Sequence, residues 1–178
     1  MRIISGKLRG KKINPPKNIK ARPTTDFAKE SLFNILNNII DFEDKSVLDL
    51  FSGTGNISYE FISRGVQDVT AVDSDFTSYK FMSTFVKDAG IDNMKVVKAS
   101  AFQVLKTLTK SYDIVFADPP YAHKRMLELP ELILENNVVT ENGLLIIEHD
   151  RNTNFSDNKY FDSTRDYGKV HFSFFTLK

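Results

Sequence analysis

The sequence predicts an α/β fold: a mainly parallel sheet that ends in an antiparallel hairpin and is preceded by a basic N-terminal arm. Three observations carry this. Short apolar runs alternate with stretches of helical periodicity from residue 46 to residue 148. A glycine turn, Gly53-Thr54-Gly55, stands between the first such run and a helical stretch. Charge is also unevenly distributed. Residues 1–30 hold nine Lys or Arg against two acids, and the remainder holds fifteen against twenty-one.

The totals bound the class. A chain of 178 residues with 41% hydrophobic and 26% charged content suits one domain with a sizeable core. It has no cysteine, which excludes disulfides and thiolate metal sites. No run approaches the roughly 18 apolar residues of a membrane span, and Met1 to Lys7 lacks the apolar core of a signal peptide. A cytoplasmic protein with no membrane association and no metal is expected.

Along the chain, residues 1–23 form the arm. Ile3-Ile4, Gly6 and Gly10 suit a small hairpin, and Pro15-Pro16 an extended segment. From residue 24 to 178 a single domain follows. Thr24 or Thr25 can cap a helix in which Phe27, Leu32, Ile35, Leu36 and Ile39 recur at helical spacing. Strands are expected at Ser46–Leu50, Asp68–Val72, Met94–Lys98, Tyr112–Ala117 and Leu144–Glu148. Helices are expected from the glycine turn to Arg64, and over Phe76–Ala89, Phe102–Leu108 and Lys124–Glu135. Tyr160–Arg165 and Val170–Leu177 flank Asp166-Tyr167-Gly168-Lys169, which reads as a hairpin turn. These make seven strands.

Two motifs carry chemistry. In open parallel sheets, ligands collect beyond the carboxyl ends of the strands. The loop after the first strand, Asp49-Leu50-Phe51-Ser52-Gly53-Thr54-Gly55, lets the backbone approach a ligand. Asp73 follows about twenty residues on, where an acid accepts hydrogen bonds from ribose hydroxyls. A dinucleotide fingerprint would need a glycine at position 58, which is Ser58. Asp49 suits an ammonium or sulfonium better than a pyrophosphate. The second motif is Asp118-Pro119-Pro120-Tyr121, directly after an apolar strand. The Asp118 carboxylate and Pro119 carbonyl can accept hydrogen bonds from a planar amine, Pro120 stiffens the turn, and Tyr121 can stack on a base. An exocyclic amine on a base is a poor nucleophile and gains from being oriented toward an electrophile. Together the motifs point to methyl transfer from S-adenosylmethionine to an amine, with a nucleobase leaving its stack to react.

The order D-L-F-S-G-T-G, V-D-S-D and D-P-P-Y resembles the Rossmann-like class I S-adenosylmethionine-dependent methyltransferases acting on amino nitrogens. The arm narrows the resemblance. Arg2-Ile3-Ile4-Ser5-Gly6-Lys7-Leu8-Arg9-Gly10, Arg22-Pro23-Thr24-Thr25-Asp26 and Glu30-Ser31-Leu32-Phe33-Asn34 resemble the RsmD family of bacterial 16S rRNA guanine-N2 methyltransferases. That resemblance implies that Asp49, Phe51, Gly53 and Gly55 hold the methionine part of the cofactor and Asp73 its ribose. It places Ser100, Ala101 and Phe102 against the adenine, although Asp or Asn is more usual at position 100. It gives Asp118, Pro119, Pro120 and Tyr121 the target guanine. It assigns Arg2, Lys7, Arg9, Lys11, Lys12, Arg22 and Thr24 to the RNA of a small ribosomal subunit or its assembly intermediate. Phe27 and Lys29 stand where the family often has arginines. An alternative is an amine methyltransferase acting on adenine in DNA or RNA, or on a protein glutamine. The protein-modifying relatives carry Asn at the first position of the slot, where this chain has Asp118.

Of the remaining candidates, His123 reads as a solvent-facing loop residue and Glu148-His149-Asp150-Arg151 as polar chemistry at a strand end. His171 is expected to alternate outward, and Phe172, Phe174 and Phe175 to pack in the core. The arm yields a measurable expectation. If it grips several phosphates, RNA affinity falls by about 0.7–0.9 log units per contact for each tenfold rise in salt. Replacing Arg9, Lys11 and Lys12 with Ala flattens that slope in a binding titration; an unchanged slope counts against the grip.

Overall fold

Every residue of β1, Ser46–Leu50, is buried, as befits a strand covered on both faces. β1 pairs in parallel with β2, Asp68–Asp73, on one side and with β4, Tyr112–Ala117, on the other. β3, Met94–Lys98, continues the sheet beyond β2, and β5, Val139–His149, continues it beyond β4. The chain then reverses. β7, Val170–Phe175, lies antiparallel to β5, and β6, Phe161–Tyr167, lies antiparallel to β7 at the edge. The order is β3-β2-β1-β4-β5-β7-β6, the mainly parallel seven-stranded sheet with a C-terminal hairpin that the sequence predicts. This computed structural model describes residues 1–19, 24–121 and 123–177; Arg22 of the arm lies outside them.

Helices cover both faces. α1, Asp26–Ile39, α2, Asn56–Ser63, and α3, Phe76–Asp88, bury Leu32, Phe33, Phe61, Ile62 and Met82 against one face. α4, Ala101–Thr107, and α5, Leu129–Leu134, bury Leu105, Leu129 and Ile133 against the other. Phe172 and Phe174 join the first core and Phe175 the second, in the packing role expected of them. Thr25, rather than Thr24, caps α1 by accepting from the Ala28 N–H at 3.1 Å. The helix expected over Lys124–Glu135 is interrupted. A 3-10 turn at Met126–Glu128 precedes α5, whose first turn holds Pro130. Proline lacks an N–H and its ring clashes with the preceding turn, so it fits only at a helix start. β5 also begins at Val139, ahead of the predicted Leu144. No described helix is long and apolar enough to cross a membrane.

The N-terminal segment is docked on the body. Arg2 and Lys12 form an antiparallel bridge, and Ile3 and Ile13 are wholly buried in the first core. The N–H groups of Ile4 and Ser5 donate to the Glu60 carboxylate at 2.8 and 3.1 Å. Lys7 N–H donates to the Ser63 carbonyl at 2.7 Å, and Ser63 Oγ donates to the Ser5 carbonyl. Gly6 has φ +78° and lies so close to the Ser63 carbonyl that a Cβ would collide with it. Lys29 of α1 is wholly buried. Its ammonium donates to Asn56 Oδ1 at 2.8 Å and to the Arg2 carbonyl at 2.7 Å, and lies 3.4 Å from Glu60. Arg64 pairs with the same carboxylate at 2.9 Å. Burial lowers the Lys29 pKa, and Glu60 opposes that shift.

Glu60→Ala leaves the Lys29 ammonium buried without its counter-charge and two arm N–H groups without acceptors. A stability loss of about 3–5 kcal/mol is expected from the denaturant midpoint, with proteolytic cleavage in residues 1–13 rising in parallel. A loss below 1 kcal/mol would contradict this account of the dock.

Candidate active site

Side chains alternate across a sheet with period two. Val47, Val69, Ala71, Ile114, Phe116 and Ile146 point into the core beneath α1 and α2. One further step of alternation puts four acids on that same face at the carboxyl ends of their strands: Asp49, Asp73, Asp118 and Glu148. Strand order reverses between β1 and β4, and ligand crevices open at such a switch point. A cavity of about 640 Å³ lies there. Its lining includes all four acids together with Phe51, Gly53, Pro119, Pro120, Tyr121 and Thr24.

The loop after β1 is tightly wound. Phe51, Gly53 and Gly55 have φ of 62°, 55° and 77°. A positive φ at a residue such as Phe51 is uncommon and costs free energy that the surroundings must offset. A Cβ at Gly55 would sit 2.7 Å from the Tyr59 ring. Gly55 therefore has no room for a side chain, which lets the loop pack against Tyr59. The loop is held from β2: Ser52 N–H donates to the Val72 carbonyl at 3.0 Å, and Gly53 N–H to Asp73 Oδ2 at 2.7 Å. Asp73 Oδ1 accepts from the Asp75 N–H at 2.8 Å. The expected ribose acceptor thus also secures the glycine loop.

Burial dominates the electrostatics. The Asp49 carboxyl is pushed up to about 7 by burial, then by the charges of Asp73 and Glu148, against the stabilising hydrogen bond from Ser58 Oγ at 2.5 Å. Asp118 is raised well above the usual carboxylate range by burial, Glu148 and Asp49. Glu148 accepts from Thr24 Oγ1 at 3.1 Å and from Tyr121 Oη at 3.4 Å. Four carboxyl groups crowd one cavity, a donor set that favours a cationic ligand. Among the described residues no group of three His, Asp or Glu is placed to hold a metal ion.

Other expected residues fall elsewhere. Ser100 begins α4 without making a side-chain cap, Ala101 is buried in the second core, and Phe102 lies outside the cavity lining. Phe51 links Phe102 to the cavity, its ring edge-on at 6.2 Å. His123 is a loop residue as expected but is half-buried rather than fully turned to solvent: its ring stacks on Phe102 at 5.0 Å and 19° and meets Phe51 edge-on at 6.0 Å. Arg2, Lys7, Arg9, Lys11 and Lys12 are exposed on the docked arm. Thr24 instead is buried at the cavity wall. The sequence reading puts Glu148 at a strand end, with bordering the pocket as the alternative; its alternation with Ile146 is the signal that places it beside Asp118. Asn56, which accepts from Lys29 and donates to the Thr24 carbonyl at 3.2 Å, carried no such signal. His149 is buried, bonded to Ser173 Oγ at 2.7 Å, and kept toward its neutral form chiefly by burial. His171 is mostly covered, pairing with Asp166 at 2.5 Å, rather than turned outward.

This sheet, with its acidic crevice at the switch point, defines the Rossmann-like fold of S-adenosylmethionine-dependent methyltransferases. A family model described as "Conserved hypothetical protein 95" matches residues 1–176, and the chain belongs to this family, the RsmD family. A Buchnera aphidicola protein named ribosomal RNA small subunit methyltransferase D is 30% identical over 98% of this chain and 91% of its own length. The Escherichia coli K12 protein of the same name is 31% identical over 83% of this chain and 74% of its own. The solved structure of yhhF from Escherichia coli superposes with a TM-score of 0.86, at 27% identity over 100% of this chain and 99% of that one. SMU.776, solved in complex with SAH, shares the fold with a TM-score of 0.69 at 20% identity, over 84% of this chain and 49% of its own.

The raised Asp49 pKa has a consequence for stability. An unfolded carboxyl titrates near 4, and the folded one near 7. Between those values the folded chain binds more protons, so this group's contribution falls as pH rises from 4 to 7 and is constant above. The free protein is expected to lose stability across that window, and Asp49→Asn to lose less. Denaturant midpoints at pH 5 and 8 measure the difference; parallel losses in both proteins would refute the assignment.

Proposed function

We propose that the chain transfers a methyl group from S-adenosylmethionine to the exocyclic N2 of a guanine in 16S rRNA. The observation that carries this is the meeting, in one acidic cavity, of the glycine loop and the Asp118-Pro119-Pro120-Tyr121 slot. Relatives named for methylation of small-subunit rRNA, and the exposed cations of the arm, support RNA as the substrate.

S-adenosylmethionine supplies an electrophilic methyl on a sulfonium. Asp49 and the loop through Phe51 and Gly53 are suited to the cationic methionine end, whose charge would draw the Asp49 carboxyl back toward its ionised form. Asp73 has lone pairs left for ribose hydroxyls after holding Gly53 and Asp75. Phe51 with Phe102 suits the adenine side of the site. The sulfonium charge would also draw the Asp118 carboxyl toward its ionised form, in which it and the Pro119 carbonyl accept from the guanine amine and aim its lone pair, with reacting atoms about 3 Å apart. Tyr121 flanks the base, its hydroxyl anchored on Glu148. The methylated nitrogen is cationic and acidic, so Asp118 needs no unusual basicity to take its proton. The arm and Thr24 would meet the RNA around the base that has left its stack.

The test is the mass of nucleosides from 16S rRNA in cells lacking the gene. N2-methylguanosine is expected to fall and to return with the wild-type gene but not with Asp118→Ala. In vitro that variant should lose about 10²-fold or more in turnover. An unchanged N2-methylguanosine level, or transfer to DNA adenine or protein glutamine but not to small-subunit particles, would refute the reading.

A further inference from the structure

The slot accounts for an amine but not for guanine. Adenine, cytosine and glutamine also carry an amine that Asp118 and Pro119 could hold. What marks guanine is a second donor, N1–H, beside and nearly parallel to the N2 amine; adenine offers an acceptor at its own N1. A site that reads guanine needs a second acceptor next to Asp118.

Resting on the reading of the target as guanine, we propose that Glu148 is that acceptor and that it reads guanine N1–H while Asp118 holds the N2 amine. β4 and β5 are parallel neighbours with Ala117 opposite Ile147. Asp118 and Glu148 are the next positions in this register, on one face of the sheet, on strands about 4.8 Å apart. Both line the cavity. Glu148 is 3% exposed, so water competes little for its carboxylate. Its position is fixed from two sides: Thr24 Oγ1 donates to Oε2 and Tyr121 Oη to Oε1. These bonds orient the carboxyl group at the cavity wall beside Asp118. Tyr121 comes from the slot itself, so the aromatic wall and the second acceptor are held in one geometry. A purine with an acceptor at N1 would turn its lone pair onto a buried carboxylate, and a desolvated polar mismatch of this kind is costly.

2-Aminopurine tests the effect, and because it also lacks the O6 of guanine, the Glu148→Gln variant separates the change at N1 from the loss of O6. It keeps the 2-amine of guanine and has an acceptor at N1. Small-subunit particles are assembled with guanine or 2-aminopurine at the nucleotide the wild-type enzyme modifies, and kcat/KM is measured on each. The wild type is expected to prefer guanine by about 10²-fold or more. Glu148→Gln can turn its amide N–H₂ toward an N1 acceptor, and should bring the preference within about tenfold. The variant should still unfold in one cooperative transition and still bind S-adenosylmethionine by calorimetry, which separates a change in base preference from loss of the fold. A wild type that methylates both particles equally overturns the proposal without reference to any variant. So does a Glu148→Gln enzyme that loses both activities in proportion, the mark of a merely structural residue. Absence of transfer to guanine by the wild type would instead sink the underlying reading.

Discussion

The buried carboxylate of Glu60 is the interaction on which the rest of the site depends. It gathers the Ile4 and Ser5 N–H groups, the Lys29 ammonium and the Arg64 guanidinium onto one side chain of α2. Lys29 in turn reaches Asn56, the first residue of α2 after the glycine loop, and Asn56 reaches the Thr24 carbonyl. Three separate segments are thereby set against each other: the arm, the start of α1 and the glycine loop. A buried pair is an uncertain source of net stability. Here its clearer effect is registration, since it holds Thr24 where its hydroxyl meets Glu148.

The cavity shows the opposite electrostatic policy. Around Glu60 the charges are matched; at the switch point they are not. Asp49 and Asp118 are both raised by burial and by other acids. Such a site is least comfortable when empty of cations and gains most from a ligand that carries one. The strained φ at Phe51 adds to this picture of a loop kept in a binding geometry by its neighbours rather than by its own preference.

Much of this was legible before the structure. Alternating apolar runs gave the sheet, because strands buried on both faces must be apolar throughout. The glycine loop, Asp73 and the slot were legible because local backbone demands fix their residue types. What escaped were relations between elements. In sequence Lys29 stands out only as a residue where the family often has arginine, and only tertiary packing reveals that it is wholly buried. His123 is the loop residue that the sequence suggests, but nothing in sequence announces the ring of Phe102 on which it stacks. Glu148 lies 30 positions from Asp118 in the chain and joins it only through the β4–β5 register. Ser100 to Phe102 were placed by resemblance, and of these Phe102 meets Phe51 of the cavity wall through packing that the sequence does not show.

The position of β7 has a consequence for how the chain is made. It follows every other strand in chain order, yet it is an interior strand, seated between β5 and β6. Its Phe172 and Phe175 are wholly buried, one in each core. Until residues 161–175 emerge and pair, β5 presents an open hydrogen-bonding edge and both cores lack their last aromatic rings. An unpaired apolar edge is a template for unwanted pairing. During synthesis the nascent chain therefore passes through a long interval in which its sheet is nearly assembled but unclosed. The antiparallel hairpin, with its two-residue turn at Gly168-Lys169, shortens that interval, because β6 and β7 can zip locally and dock as one unit.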